Sequence, residues 1–398
     1  MWCKSCNMET RGDVCPICGQ PTFEDIPTEI YWCRKCRVPI IQEPKQADKG
    51  YCPICNGKTR YLTTDLRPVF PEERLLLEVL LNKPVNELST ASVWAEANRY
   101  YIDGKSTLIP LKMFTEADTD ETAKTLEKRR PLNDGAYFSE MIGRFVAANR
   151  HHLNAIKEEA YGFVRRTTVR FPRENVVISF SGGKDSTATA DVVLKALSDP
   201  SIVHIFGDTT LEFPSTVEYA RRYRNDHPNA IFLIPRNEEQ DFSKVCEDIG
   251  PPARMMRWCC SMFKTGPITR TINSLYRNQQ ILTFYGIRKV ESVSRSKYNR
   301  VEDDAESVKI QQQTVASPIF FWKDIDMPIS LSRERLLPAS RDRHRPRWQI
   351  NSPVIVRSPA AMPKNTRPDR QQRRLRIWKR LFWNLSLEIA VTGPCVCS

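Results

Sequence analysis

The chain of 398 residues lacks any apolar run long enough to cross a bilayer. Its greasiest stretch, Leu75–Leu81, is broken by Glu78. A removable secretory leader is not expected either, because Cys3 already belongs to a paired-cysteine knuckle. Walker A spacing is missing, and no Cys-x-x-Cys pair follows the first 55 residues. These absences exclude a membrane-spanning helix and a P-loop of the Walker kind, and they make the cytoplasm the expected compartment.

Charge looks informative at first, since the formal net charge is +13. The excess is local, however. Residues 331–398 hold 15 Lys+Arg against 4 Asp+Glu, whereas the first 330 residues hold 45 against 43. The basic character is therefore a property of the C-terminal stretch.

Eight of the thirteen cysteines fall in the first 55 residues, all in Cys-x-x-Cys pairs. They are Cys3 and Cys6, Cys15 and Cys18, Cys33 and Cys36, and Cys52 and Cys55. In a reducing compartment such pairs read as metal ligands rather than disulfides. Two quartets of thiolates suit tetrahedral zinc, and all-sulfur sites also accept iron. Sequential pairing of the knuckles is expected, although the middle two could instead share an ion. Gly19 and Gly57 follow knuckles, where the backbone has to turn tightly. Residues 1–58 are thus expected to form a double four-cysteine zinc-ribbon region, structural or serving to bind RNA or a partner.

Residues 61–130 read as an α+β segment. Glu72–Leu81 has amphipathic spacing, and Tyr100-Tyr101-Ile102 runs into Asp103-Gly104 as a strand enters a tight turn. The segment Asn98–Lys105 resembles a small PUA-like RNA-binding module; a plain spacer is the alternative. Residues 131–171 read as a helical connector in two stretches divided near Asn149-Arg150, with apolar positions Phe138, Ile142, Phe145, Leu153, Ile156, Ala160 and Phe163 at helical spacing. His151 and His152 at that junction are expected to be solvated or capping residues.

Val176–Phe180 is a short apolar, largely β-branched run of the kind buried in parallel sheets. It enters Ser181-Gly182-Gly183-Lys184-Asp185-Ser186-Thr187, and an amphipathic helix follows. Strand, glycine turn and helix make a phosphate cradle: glycine permits close approach, and the helix start directs N–H groups at the anion. A second strand, Ile202–Phe206, leads to Gly207-Asp208-Thr209-Thr210-Leu211-Glu212-Phe213-Pro214. Later come Arg257-Trp258-Cys259-Cys260 with Lys264, and the strand Ile281–Tyr285 followed by Gly286-Ile287-Arg288 and Glu291 through Arg295.

These four blocks, in this order, resemble the PP-loop segments of the phosphoadenylyl-sulfate (PAPS) reductase family: S-G-G-K-D-S, D-T-G-L-E-F-P (with Thr210 in place of the glycine), R-W-C-C-x-x-x-K and G-x-R-x-x-E-S-x-x-R. The resemblance covers residues 172–327 and extends through Pro318–Asp326. It implies an α/β fold, a doubly wound, mostly parallel sheet of the adenine nucleotide alpha-hydrolase-like kind, preceded by the four-cysteine zinc ribbons and the α+β segment. It also implies an adenine nucleotide (adenylyl sulfate, its 3′-phosphorylated form, or ATP) on Ser181 through Thr187, Arg257, Lys264, Arg288 and Arg295. Lys184, Asp208, Cys259 and Cys260 are the implied catalytic positions. Asp208 would orient a ribose hydroxyl or hold magnesium. Cys259 and Cys260 would be nucleophile, iron–sulfur ligands or buried thiols. The partners implied are a sulfonucleotide or ATP, a thiol reductant or sulfur donor, and RNA if the enzyme adenylates RNA for thiolation. A non-catalytic nucleotide- or RNA-binding protein is the third alternative.

From about residue 328 the pattern changes. Residues 331–398 contain 13 Arg and 2 Lys, with scattered prolines. The sequence predicts a shifted reading frame or comparable break here; the alternative is a basic, disordered tail that binds RNA.

Overall fold

The computed structural model describes residues 1–328 apart from Lys4, Asn7, Arg11, Glu24, 44–49, Asp134, Pro251, 253–255, Asn278, 293–294 and 304–311. The expectation for the tail therefore lies outside the described residues. What is described divides into two compact units, residues 1–159 with 321–328, and residues 160–320.

The first unit begins with two small ribbons. Strands β1 (Trp2–Cys3), β2 (Met8–Glu9) and β3 (Thr22–Phe23) form one antiparallel sheet in the order β2-β1-β3. Strands β4 (Glu29–Cys33), β5 (Val38–Gln42) and β6 (Thr59–Thr63) form the other in the order β5-β4-β6. Next, β7 (Arg67–Pro68), helix α1 (Pro71–Leu80) and strands β8 (Val93–Glu96), β9 (Arg99–Ile102) and β10 (Lys105–Leu108) build a four-stranded antiparallel sheet with a helix beside it in sequence. The expected hairpin turn is present: Asp103 and Gly104 both have positive φ, 47° and 78°, between the paired Ile102 and Lys105. Gly104 is required by packing too, because a Cβ there would lie 2.4 Å from the Trp32 indole.

Helices α2 (Leu111–Glu116), α3 (Thr119–Arg129), α4 (Ala136–Ala148) and α5 (Arg150–Thr168) follow. The break between α4 and α5 falls at Asn149, which is buried. Its amide accepts from Ile41 N–H at 2.6 Å and donates to the Pro39 and Phe145 carbonyls. An amide that bonds a neighbouring strand edge explains a polar residue at a buried helix junction. Arg74 of α1 is likewise buried, donating to the Val69 and Ala91 carbonyls at 2.8 and 2.9 Å. Burial lowers its pKa to about 10.

The same unit contains residues 321–328. Phe321, Trp322, Ile325 and Met327 are buried, with Phe321 against Trp2 at 5.3 Å. Asp65 accepts from the N–H groups of Asp324 and Ile325. Asp326 meets His152 Nε2 at 2.8 Å, and Lys323 donates to Thr28 at 2.9 Å. His152 is thus a structural partner of a buried carboxylate, which corrects the expectation of a solvated or capping residue; His151 is exposed as expected. The motif that resembles the end of the PP-loop segment packs with the head of the chain.

In the second unit, strands β11 (Val176–Ser179), β12 (Val203–Ile205), β13 (Phe232–Leu233), β14 (Ile281–Phe284), β15 (Val301–Glu302) and β16 (Gln313–Ala316) form one sheet in the order β13-β12-β11-β14-β16-β15. All neighbours are parallel except β15 against β16. Helices α6 (Lys184–Leu197) and α7 (Pro214–Asp226) connect β11 to β12 and β12 to β13, and α8 (Phe242–Ile249) and α9 (Gly266–Tyr276) both lie between β13 and β14. Val177, Ile205, Ile272, Tyr276 and Ile281 pack as one core cluster. The fold is the doubly wound α/β architecture that the sequence implied. Strand order reverses between β11 and β14, and in such sheets ligands bind beyond the carboxyl ends of the strands at that reversal.

Candidate nucleotide site and cysteine centres

Two loops leave the sheet at the reversal: residues 180–183 after β11, and residues 285–292 after β14. The first turns through Gly182 at φ 73° and enters α6 with Gly183 as its N-cap. Ser186, one turn into the helix, stitches the loop closed. Its Oγ donates to the Gly183 carbonyl at 2.9 Å, accepts from Ser181 N–H at 3.2 Å and lies 3.1 Å from Ser181 Oγ. Thr187 Oγ1 donates to the Gly183 carbonyl at 3.0 Å and meets the Tyr219 hydroxyl at 3.1 Å. Ser181 is exposed, and Lys184 and Asp185 are half-buried. Several hydroxyls expected to be phosphate donors are therefore engaged within the loop, fixing its curvature around the start of α6.

The second loop is pressed onto that helix start. A Cβ on Gly286 would lie 2.6–2.7 Å from the backbone of Asp185 and Ser186. Arg288 then reaches Asp185: Nε donates to Oδ1 at 2.8 Å, and the arginine is only 2 % exposed. Glu291 accepts from Arg288 N–H at 3.1 Å and forms an ion pair with Arg295. The sequence motif places Arg288 directly on an oxyanion. In the structure it secures Asp185, and Glu291 secures both Arg288 and Arg295.

The loop after β12 is closed on itself. Asp208 Oδ1 accepts from Thr210 N–H at 2.8 Å, and Arg236 lies 3.8 Å from Oδ2. Glu212 accepts from the N–H and hydroxyl of Thr209 at 2.9 and 2.7 Å, and burial raises its pKa. Thr210 stands in the left-handed region, φ 64°, where the family motif has glycine. The motif asks for glycine at a position where the backbone needs it, and this chain places a β-branched residue there at a cost in strain.

Arg257 is half-buried and Lys264 is exposed. Cys259 and Cys260 lie in the first turn of a helical stretch that starts at Trp258 and is π-wound over Cys260–Thr265, and their Sγ atoms lie 3.9 Å apart. Wide turns of this kind frequently occur at functional sites. Gly266 allows the winding, since a Cβ there would meet the Ser261 carbonyl at 2.1 Å. Neither cysteine joins a group of three or more metal-ligating side chains among the described residues.

The head cysteines do form such groups. Cys3, Cys6, Cys15 and Cys18 come together in one quartet, and Cys33, Cys36, Cys52 and Cys55 in the other, with all ligand atoms of a quartet within 4.8 Å of one another. Sulfur separations of 3.4 and 3.8 Å in the first and 3.5 and 3.7 Å in the second sit near the edge of a tetrahedron with Zn–S about 2.3 Å, which is about 3.8 Å. Cys6 and Cys36 direct backbone N–H groups at Cys3 and Cys33 sulfur. The thiols differ as acids: backbone donation from Cys18 lowers Cys15 to about 6, and contact with Cys18 raises Cys6 to about 12. Gly19 turns with φ 68° as expected, but in the second ribbon Asn56, φ 52°, takes that place. Gly57 instead sits where a Cβ would meet Cys55 Sγ at 3.3 Å.

Parallel sheet, strand-order reversal and glycine loop at a helix start are the features of a PP-loop domain. The model of the phosphoadenosine phosphosulfate reductase domain matches residues 175–336, ten residues past Asp326. The uncharacterized protein MJ0066 of Methanocaldococcus jannaschii is 34% identical over 401 residues, covering 84% of this chain and 82% of that protein. A second uncharacterized protein of that organism, MJ0973, is 26% identical over 191 residues, 47% of this chain and 44% of its own length. The chain belongs to the PAPS reductase domain family. Among solved structures, PAPS reductase from Candida auris in a phosphate complex is similar at 15% identity and TM-score 0.33, covering 46% of this chain and 86% of that one. The NH3-dependent NAD synthetase of Campylobacter jejuni is similar at 16% identity and TM-score 0.32, covering 45% and 72%. At these scores neither speaks to the substrate. No described helix is long and apolar enough to cross a membrane.

Proposed function

We propose that the chain is an enzyme that binds an adenine nucleotide with its phosphates against residues 181–187 and uses it for sulfonucleotide reduction or sulfur transfer. One observation carries this reading: at the strand-order reversal, Gly286 and the Asp185–Arg288 pair hold a second cationic loop against a glycine-bounded helix start. Helix N–H groups attract the anion, Lys184 adds charge, and Arg257, Lys264 and Arg295 supply further cations around it. Zinc in the two head quartets is the structural metal of this reading, and magnesium accompanies the phosphates if the nucleotide is ATP.

In the reductive form, the thiolate of Cys259 attacks the sulfur of adenylyl sulfate. The sulfur–oxygen bond to phosphate breaks, and the nucleotide leaves with the electron pair. A second thiol, from an external reductant, then releases sulfite by forming a disulfide. In the ATP form, an oxygen of an RNA acceptor attacks the α-phosphorus and pyrophosphate leaves. The cysteine quartets in the same chain favour keeping this second form, because zinc ribbons also serve as nucleic-acid-binding modules. The test is a binding screen of ATP, adenylyl sulfate and its 3′-phosphorylated form, followed by product analysis. Sulfite release identifies the first form and pyrophosphate release with RNA the second. Binding of none of the three overturns the nucleotide reading.

A further inference from the structure

The two ribbons share a metal-binding frame and differ in what they display. Residues 1–28 hold two Lys+Arg and four Asp+Glu, whereas residues 29–63 hold seven and three. Two cations of the second ribbon are committed within the fold: Arg37 to Asp103 at 2.7 Å, and Arg60 to the Gly104 carbonyl. Arg34 and Lys35, at the tip between Cys33 and Cys36, and Lys58, at the facing knuckle, are exposed, and no hydrogen bond or ion pair engages them among the described residues.

The same ribbon carries a pair of aromatic rings two positions along its strands from the Cys33–Thr59 pair. Tyr31 of β4 and Tyr61 of β6 are register partners on one face, 5.6 Å apart with an edge-on arrangement. Tyr31 is fixed by a 2.8 Å hydrogen bond from its hydroxyl to Glu29, and Tyr61 is 50% exposed. Tyr51, bridged to Lys58 across the knuckle turn, is also 50% exposed. Glu29 is the one described carboxylate on this face, at the far end of β4 from the cations.

We infer that the second ribbon binds a single-stranded nucleic acid, with Arg34, Lys35 and Lys58 on the phosphates and Tyr61 and Tyr51 as platforms for unstacked bases. Exposed rings and exposed cations on one small ribbon are what single strands require: any base offers a face to stack, and the backbone supplies the complementary charge. A duplex hides those faces, so it is the weaker ligand. The first ribbon, acidic in composition and without such a ring pair among its described residues, is the internal contrast. This assignment does not depend on the nucleotide site, and it supplies an acceptor class for the RNA form of the proposed reaction.

The experiment uses the full chain and fluorescence anisotropy with labelled oligonucleotides of single-stranded RNA, single-stranded DNA and duplex, across a salt series. Single strands bind more tightly than duplex, and the RNA and DNA arms show which sugar is preferred. Tyr61→Ala weakens single-strand binding by about tenfold with little change in salt dependence. Arg34→Ala, Lys35→Ala and Lys58→Ala combined reduce the log–log salt slope by about 2. Zinc content and ATP binding of both variants stay at wild-type levels, so a failure of the nucleotide reading would show separately. If wild type prefers duplex, or both variants bind single strands as wild type does, the inference is overturned and any affinity belongs elsewhere in the chain, residues 331–398 being the most basic stretch.

Discussion

The cysteine quartets and the nucleotide loops are both candidate ligand sites, but they are assembled in opposite ways. Each quartet draws on at most 23 consecutive residues, Cys33 to Cys55, and its geometry follows from knuckle spacing. The candidate nucleotide site draws on loops 103 positions apart, Asp185 and Arg288, tied by that ion pair and by the close approach of Gly286 to the Asp185–Ser186 backbone. A local site of sulfur ligands gains its stability from the ion. A long-range site gains it from the buried sheet, and its failure modes are steric and electrostatic. The following predictions press on that difference.

The largest effect is expected from metal. Elemental analysis should find two zinc ions per chain, and Cys33→Ser should reduce this to one. Structural zinc contributes on the order of 10 kcal/mol to small sites, so the second ribbon should lose its protease resistance while ATP binding persists. Retention of two ions in Cys33→Ser would break the contrast. Deleting residues 1–58 is a poorer test, because it would uncover Phe321, which packs on Trp2, and would leave Lys323 without Thr28.

Next in size is Gly286→Ala. The added Cβ meets helix backbone rather than a flexible side chain, so the loop must move. Nucleotide affinity should fall at least a hundredfold, with about 1–3 kcal/mol lost in stability from overpacking. Lys184→Ala should abolish binding without the stability loss. Equal Tm values with equal ATP affinity for wild type and Gly286→Ala, by calorimetry, would remove the loop contact from the site.

The secondary structure elements and the motifs are largely legible in the sequence. Helical spacing marks α4 and α5, β-branched runs mark β11 and β14, and Asp103-Gly104 marks a hairpin. What cannot be read is which partner each polar group takes. Arg288 belongs to a cationic motif, and the sequence does not show that its Nε donates to Asp185, 103 positions earlier. His152 reads as a surface residue in the sequence, and only the fold puts Asp326 beside it. The signal for Gly286 is present in the G-x-R motif, but the reason, contact with the Asp185–Ser186 backbone, is tertiary. Periodicity reports faces, and partners across the chain leave no local trace.

Asp185→Asn tests the ion pair at a smaller scale. Arg288 would lose its charge partner while buried, which costs about 3–5 kcal/mol for a fully buried pair and less here because Asp185 is partly exposed. Affinity for ATP should fall roughly tenfold, and Asp185→Asn combined with Arg288→Met should recover stability but not affinity. A double variant that also recovers ATP affinity would show that the pair plays no part in binding.

The smallest expected effect is a divergence with pH. Burial, with Asp324 nearby, raises Asp65 to about 7, above its unfolded value near 4. The folded first unit therefore holds that proton more tightly. Its contribution to stability is present in full below about pH 4 and is lost as pH rises through 7. Burial lowers His204 to about 4, from an unfolded value near 6.5. Its ring stacks on Phe232, with Nδ1 2.9 Å from the Ile202 carbonyl. That contribution is present above about pH 6.5 and is lost as pH falls through 4. Raising the pH from 5 to 8 should thus weaken the first unit and strengthen the second, so two calorimetric transitions should move in opposite directions. Asp324→Asn should flatten the first trend by removing a repelling charge, and His204→Asn should flatten the second while keeping a donor beside the Ile202 carbonyl. Parallel movement of both transitions in wild type, unchanged by either substitution, would show that these two groups do not set the pH response.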